Sequence, residues 1–398
     1  MTIRKKKNFC DTNVCMKTKK SEKLTVLYIC HDLGSGGAAQ SLINMIRSVS
    51  CEVIPIVLFR KRSVMSLKIE QLGYMVLYHN FSLNISNPNR LFAFCIYPLR
   101  LIHDYIVNRN CVKWVLKQTE GIHVDIVHSN SCVVSFGGDL AKKLCSKHVW
   151  HVREFMDLDH GLRPVCSFTT LERKISKADA TIAITKAIFD KWRLLSCSNS
   201  YVIYNAVRSV SDCTYVPEKE KYVLFCSAVL SDNKGADSAT EIYCRSKIYD
   251  KKYRLYYVGR YTEEYKDKLL GIAREYGQED GLVFLGHQND IKQYMSKASV
   301  FMMCSKFEAL GRVTVEAMFY GCPILGHNTG GTKEVVIHDS TGLLYDTIEE
   351  AVVMLQRLID DKALSERLVC KAIEDAKTRF SEEEYGIKII NVYRQVLK

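Results

Sequence analysis

At 398 residues the chain is long enough for two ordinary domains, and 47% hydrophobic content sets it apart from disordered and fibrous sequences. Its formal net charge of +12 is uneven: residues 1–23 hold eight Lys or Arg against Asp11 and Glu22, half of the total. Sixteen cysteines lie scattered with no C-x-x-C pair, and Cys30, Cys226 and Cys304 fall within apolar strand patterns, which argues against a disulfide framework or zinc cluster and for a reduced, cytoplasmic compartment.

The segment 1–23 has no apolar core of the signal-peptide kind, so a disordered basic tail is expected there, either solvated or touching an anionic membrane surface. From Leu24 the pattern becomes regular: strand 24–30, helix 38–49, strand 53–59, helix 63–72, short strand 74–78. This alternation predicts a parallel sheet with crossover helices, whose ligands sit beyond the carboxyl ends of the strands. The first such end carries His31-Asp-Leu-Gly-Ser-Gly-Gly-Ala38, where Gly34, Gly36 and Gly37 allow a tight turn and close approach to a ligand before a helix start. Taken literally, Gly34 to Ala39 satisfies the dinucleotide fingerprint G-x-G-x-x-A, with Arg60-Lys-Arg62 available to the 2′-phosphate of NADP. Against that reading, His31, Asp32 and Leu33 separate the strand from the glycines.

Residues 90–119 mix Leu91 to Tyr97, Leu99, Leu101, Ile102, Tyr105 and Ile106 with Arg90, Arg100, Arg109 and Lys113. The apolar run is too short to span a bilayer; the alternatives are a basic amphipathic helix lying on lipid and an ordinary packed helix. Strands 124–128 and 147–152 end at His128-Ser-Asn130 and Trp150-His-Val-Arg-Glu154, which puts polar groups at cleft positions, and strand 179–184 follows. The polar stretch 206–220, with Pro217, suits an interdomain linker. A second alternating series begins at Tyr222, with Asn233-Lys234-Gly235 after its first strand, Arg260 after strand 254–259 and Gly286-His-Gln-Asn-Asp290 after strand 282–285.

The most informative stretch runs from Ser305 to Pro323. The apolar Ala298 to Met303 predicts a buried strand, and Leu310, Val313, Val315, Ala317 and Met318 a helix ended by Gly321 and Pro323. At the start of that helix the amides of Ala309, Leu310, Gly311 and Arg312 lack intrahelical acceptors and suit a phosphate. Glu308 on the loop and Glu316 on the helix can each accept hydroxyl hydrogen bonds, although their spacing alone favours a pair of solvated surface glutamates.

Glu308, seven residues, Glu316, Gly321-x-Pro323, Gly330-Gly331-x-x-Glu334 and Gly342 together resemble the family-4 retaining glycosyltransferases, and further matches extend the resemblance over most of residues 24–398. The resemblance implies an α/β, GT-B fold: two doubly wound, Rossmann-like parallel-sheet domains facing across a cleft. It implies an acceptor-side domain at 24–207, a linker at 208–220, a nucleotide-sugar domain at 221–380 and a last helix, 381–398, crossing back to the first domain. It sets the loop with Gly36 and Gly37 under the donor phosphates, His151 and Arg153, rather than His128, toward the transferred sugar, and Lys234 on the diphosphate. Gln288 falls in the loop facing the base, and Glu308 becomes a sugar-binding group rather than a nucleophile. The family usually has an arginine five residues before the lysine, where this chain has Val229; Arg260 and Arg312 are the candidates to replace it.

The activity implied is retaining transfer of a sugar from a UDP-, GDP- or ADP-sugar to a hydroxyl of a glycan or lipid-linked acceptor, in cell-surface polysaccharide synthesis. It needs no cofactor and no metal: Lys234, the 309–311 amides and one arginine stabilise the leaving diphosphate, which helps deprotonate the acceptor on the same face. The expected place is the cytoplasm, on the inner membrane face, and nucleic acid is not among the expected partners. The rivals are an NADP-binding oxidoreductase and a nucleotide-sugar-binding protein that has lost turnover.

Overall fold

The protein is described from a computed structural model covering residues 23–31, 37–86, 93–196 and 199–398. The basic tail below Lys23 and the loop residues Asp32 to Gly36 lie outside the described residues.

Two parallel sheets carry the fold. The first contains β1 (Leu24–Cys30), β2 (Val53–Phe59), β3 (Met75–Tyr78), β4 (Ile126–Ser129), β5 (Lys147–Val152), β6 (Ala180–Ala183) and β7 (Ser200–Val202), in the order β3-β2-β1-β4-β5-β6-β7. The second contains β8 (Glu220–Val229), β9 (Arg254–Arg260), β10 (Leu282–Gly286), β11 (Ala298–Met303), β12 (Ile324–His327) and β13 (Leu343–Tyr345), in the order β10-β9-β8-β11-β12-β13. Helices cover both faces of each sheet, so central strands are buried on both sides and spell near-continuous apolar runs; Val26 to Cys30 are all buried. The strand order reverses between β1 and β4 and between β8 and β11, and at such switch points the loops part to open a crevice beyond the strand ends.

One apolar core joins the two halves, with Trp150 and Phe155 of the first in the same cluster as Leu310, Val315 and Phe319 of the second. The last helix, Glu382–Val396, packs Tyr385, Ile389 and Tyr393 with Leu42, Met45 and Ile46 of the helix Gly37–Val49. Gly386 makes that approach possible, because a Cβ there would stand 2.4 Å from the carbonyl oxygen of Ser48. The two chain crossings between the halves are tied together: Val207 donates its amide to Phe380 (2.9 Å) and Glu382 donates to the carbonyl of Arg208 (2.9 Å).

Two predicted boundaries move. The helix expected from Leu310 is Arg312–Phe319, because Gly311 takes a left-handed φ of 77° and forms its N-cap. Residues 90–119 hold the helix Ala93–Gln118, which buries Cys111, Val112 and Val115 but leaves Leu99, Ile102, Tyr105 and Ile106 exposed along one side. Among the described residues no helix is long and apolar enough to cross a membrane.

Candidate active site

Three glycines let the loops of the second sheet interlock. Gly235 is left-handed (φ 75°), and a Cβ on it would lie 2.0 Å from the carbonyl of Cys304, so the loop after β8 rests directly on the end of β11. Ser305 Oγ and the Lys306 amide both donate to the carbonyl of Asn233, each at 3.2 Å. On the other side Gly330 and Gly331 press on the backbone of Glu308 and Ala309, and the Gly331 amide donates to the Glu308 carbonyl at 2.7 Å. The result is that Lys234 and Glu308, 74 positions apart in sequence, meet with Nζ 2.6 Å from Oε1.

One turn further on, Glu316 is a buried carboxylate rather than a solvated one. Its Oε1 lies 2.9 Å from an Arg208 guanidinium nitrogen and 3.5 Å from Nε of Arg312. Arg312 also donates to the carbonyl of Val207 (3.1 Å), and burial pulls its guanidinium below the usual arginine range while Glu316 opposes that shift. No acceptor among the described residues takes the amides of Ala309 to Val313, so the helix N-terminus presents a run of backbone donors.

The facing wall comes from the first sheet. Arg153 is buried, and its fork is fixed by Asn130 Oδ1 (3.0 Å from Nε, 2.8 Å from the terminal nitrogen), by Asn205 Oδ1 and by His151 Nδ1 (3.3 Å). His151 lies behind Arg153, wholly buried, with Nε2 lacking a partner among the described residues. Its Nδ1 is 3.2 Å from Nε2 of His128, whose Nδ1 is 2.8 Å from the hydroxyl of Tyr393 on the last helix. Burial first, and the charge of Arg153 second, push both imidazoles well below their ordinary range, so both are neutral at pH 7. Arginine can only donate, which makes His151 Nδ1 an acceptor, His128 Nε2 the donor to it, and His128 Nδ1 the acceptor from Tyr393.

Two cavities open between the sheets. One, about 430 Å³, is lined by His31, Arg153, Glu154, Asp159 and Leu162 with Ala309, Leu310 and Gly311. The other, about 390 Å³, is lined by Gln40, Arg208, Lys234, Gln288 and Glu316 with the end of β8. Glu308 and Arg312 belong to both, so the cavities meet at those two side chains.

The expected residues divide accordingly. Lys234, Gln288, Glu308, Arg312 and Glu316 converge on the shared junction or its second cavity, and Arg153 and residues 309–311 line the first. Gln288 spends its side-chain amide on the carbonyl of Leu285 (2.7 Å), leaving backbone for any base. Arg260 is exposed at the end of β9 and lines neither cavity, and His151 is too deep to line either. Gly37 opens the helix whose Gln40 lines the second cavity; Gly36 lies outside the described residues. Sequence reasoning missed Arg208, which sits in the linker, and Asp159, and it placed Glu154 at a cleft position without giving it a role. It also missed what Glu334 does: the carboxylate accepts the amides of Lys186 and Ala187, each at 2.7 Å, capping a helix of the opposite half. Among the described residues no group of three or more His, Cys, Asp or Glu is placed to hold a metal ion.

Residues 214–375 match the model of the family described as glycosyl transferases group 1, the segment that contains Lys234, Glu308 and Glu316. That segment, the second half of the fold, is similar to the family. The chain is 28% identical over 235 residues to a glycosyltransferase of Haemophilus influenzae, a match covering 56% of this chain and 62% of that protein. It is 32% identical over 120 residues to the lipopolysaccharide core biosynthesis glycosyltransferase LpsD of Rhizobium meliloti, covering 30% and 35%. These matches therefore take in less than two thirds of either relative. The structure of HepE from Anabaena in complex with UDP superposes with a TM-score of 0.76 at 19% identity, covering 94% of this chain and all of that one. That likeness gives the chain a GT-B fold.

Proposed function

We propose that the protein transfers a sugar from a nucleoside-diphosphate sugar to a hydroxyl acceptor, with retention of configuration and without a metal. The observation that carries this reading is the junction of two cavities at Glu308 and Arg312, with Lys234 against Glu308. One cavity suits the donor nucleotide and the other the acceptor, and the anomeric carbon belongs where they meet. UDP in the structure of the Anabaena protein supports a nucleotide donor.

In this reading Glu316 accepts the ribose hydroxyls, and the loop 286–290 holds the base by its backbone. The leaving diphosphate is stabilised by Lys234, by Arg312 and by the amides at the start of the helix Arg312–Phe319, fixed charges and dipoles that need no reorganisation during reaction. Arg312, rather than the exposed Arg260, fills the role left open at Val229. Glu308 holds hydroxyls of the transferred sugar, and Arg153, locked by Asn130 and Asn205, shapes the face on which the acceptor approaches. The acceptor hydroxyl attacks the face that the diphosphate leaves, and its proton passes to a departing phosphate oxygen. Glu154 and Asp159 supply acceptor-only groups to the first cavity, which suits a hydroxyl-rich glycan. The family match does not favour the NADP-binding alternative.

The test is incubation with UDP-, GDP- and ADP-sugars and a mixed pool of glycan and lipid-linked acceptors, with the anomer of the product assigned by NMR. A product with inverted configuration, or none while nucleotide binds, removes the retaining-transferase reading.

We also assign the protein to the cytoplasmic face of a membrane, acting on a lipid-linked surface glycan. The support is the basic segment 1–23 and the exposed Leu99, Ile102, Tyr105 and Ile106 beside Arg109 and Lys113. Similarity to a lipopolysaccharide core enzyme agrees with it. Co-sedimentation with anionic vesicles, weakening as salt shortens the Debye length from about 10 Å at 0.1 M to about 3 Å at 1 M, is the expected result. Equal binding to neutral vesicles would contradict it.

A further inference from the structure

We propose that Arg208, from the interdomain linker, is a diphosphate-binding residue of the donor cavity. The inference rests on the reading that this cavity takes a nucleoside diphosphate. Along the cavity wall stand three cations, Lys234, Arg208 and Arg312, and two carboxylates, Glu308 and Glu316. Lys234 is matched by Glu308. The single buried carboxylate of Glu316 is left to two guanidiniums, at 2.9 Å and 3.5 Å. Among the residues lining the cavity one positive charge is therefore left over, with Glu382 acting on Arg312 from outside the lining.

The nitrogens carry the same message. Among the described residues, Nε of Arg208 and one terminal nitrogen of Arg312 are buried without a hydrogen-bond partner, although buried N–H groups on charged side chains are normally satisfied. Both line the second cavity, next to the unaccepted amides at the start of the helix Arg312–Phe319. An anion seated there would meet the excess charge, the free N–H groups and the helix terminus together, which is the arrangement a phosphate prefers.

Arg208 is also well placed to act as a fixed donor. Its carbonyl accepts from Glu382, the amide beside it, on Val207, donates to Phe380, and its guanidinium lies 5.6 Å from the centre of the Tyr320 ring. Backbone and side chain are thus held before any ligand arrives. The loop after β8, by contrast, offers only Lys234 to the cavity, since Val229 and Leu230 are apolar. The linker brings in the charge that this loop lacks.

The experiment measures binding of UDP, GDP and ADP, and of uridine, guanosine and adenosine, to the full-length protein and to R208M and R208K, with thermal melting as the check on folding. R208M keeps the length of the stem and loses the charge. The expected result is that R208M weakens binding of the preferred diphosphate about tenfold to a hundredfold, leaves its nucleoside unchanged, and is largely rescued in R208K. Equal loss of diphosphate and nucleoside would overturn the proposal and make Arg208 a support for Glu316 alone. Wild-type binding with R208M unchanged would also overturn it. Wild-type protein that binds none of the three diphosphates would instead overturn the donor-cavity reading, and this inference with it.

Discussion

Lys234 Nζ lies 2.6 Å from Glu308 Oε1, so the lysine expected on the leaving diphosphate and the carboxylate expected on the transferred sugar hold each other at the junction of two cavities. In the proposed reaction each acts on a different part of the donor. Removing Lys234 with alanine should weaken nucleoside-diphosphate binding roughly tenfold to a hundredfold, the scale of a charge-assisted contact. Glu308→Gln should leave nucleotide affinity within a few-fold and lower turnover by about a hundredfold or more, because its contact matters most as the sugar is transferred. Calorimetry and initial rates separate the two; an unchanged turnover number in Glu308→Gln removes that residue from the site.

Tyr393→Phe tests the buried chain from the last helix to Arg153. The phenol donates to His128 Nδ1, and its loss leaves a buried acceptor without a donor, a cost of about 1–3 kcal/mol in urea denaturation. Turnover should fall with little change in donor KM, because His128 and His151 position Arg153 and touch neither cavity. A loss confined to stability would mean that the chain only packs.

Glu334→Ala should cost about 1–2 kcal/mol, since its carboxylate caps the helix Lys186–Lys191 across the domain boundary and also accepts from Tyr204 Oη (3.2 Å). Thermal melting would reveal the loss. A variant as stable as wild type would show that the two halves are held without this cap.

Stability should decline as the solution is acidified below about pH 6.5. Burial lowers the pKa of His148 from 6.5 to about 4, with Asp179 opposing the shift, and its Nε2 lies 2.9 Å from Ser129 Oγ. The unfolded chain therefore takes up a proton from about pH 6.5 downward while the native protein resists until about pH 4, so each step down in that window favours unfolding. The span is worth on the order of 3 kcal/mol for this residue, with His128 and His151 acting in the same direction. Denaturation midpoints for wild type and His148→Gln between pH 7 and 4 should converge; parallel curves would contradict this.

The sheets were legible because their central strands are buried on both faces: β1, β2 and β11 appear in the sequence as apolar runs with the bounds the structure gives. The GT-B pairing of two such sheets was implied by the family resemblance that Glu308, Glu316 and the glycines after them carry, and not by their spacing alone. The start of the helix at Arg312 was not legible, since it turns on the left-handed Gly311. Strand alternation placed His151 and Arg153 on one face, but Tyr393, which bonds the His128 that His151 rests on, arrives from the far end of the chain. Arg208 gave no signal, because nothing local to a polar linker reveals that it reaches Glu316.

The central claim is that the cavity bounded by Lys234, Glu308 and Glu316 takes a nucleoside diphosphate, and ligand-dependent thermal stability tests it most directly. At 100 times its dissociation constant, one of UDP, GDP and ADP should stabilise the wild-type protein by roughly 2.7 kcal/mol, and Lys234→Ala should lose most of that gain at the same concentration. Stabilisation by NADPH with no response to any of the three diphosphates would contradict the account.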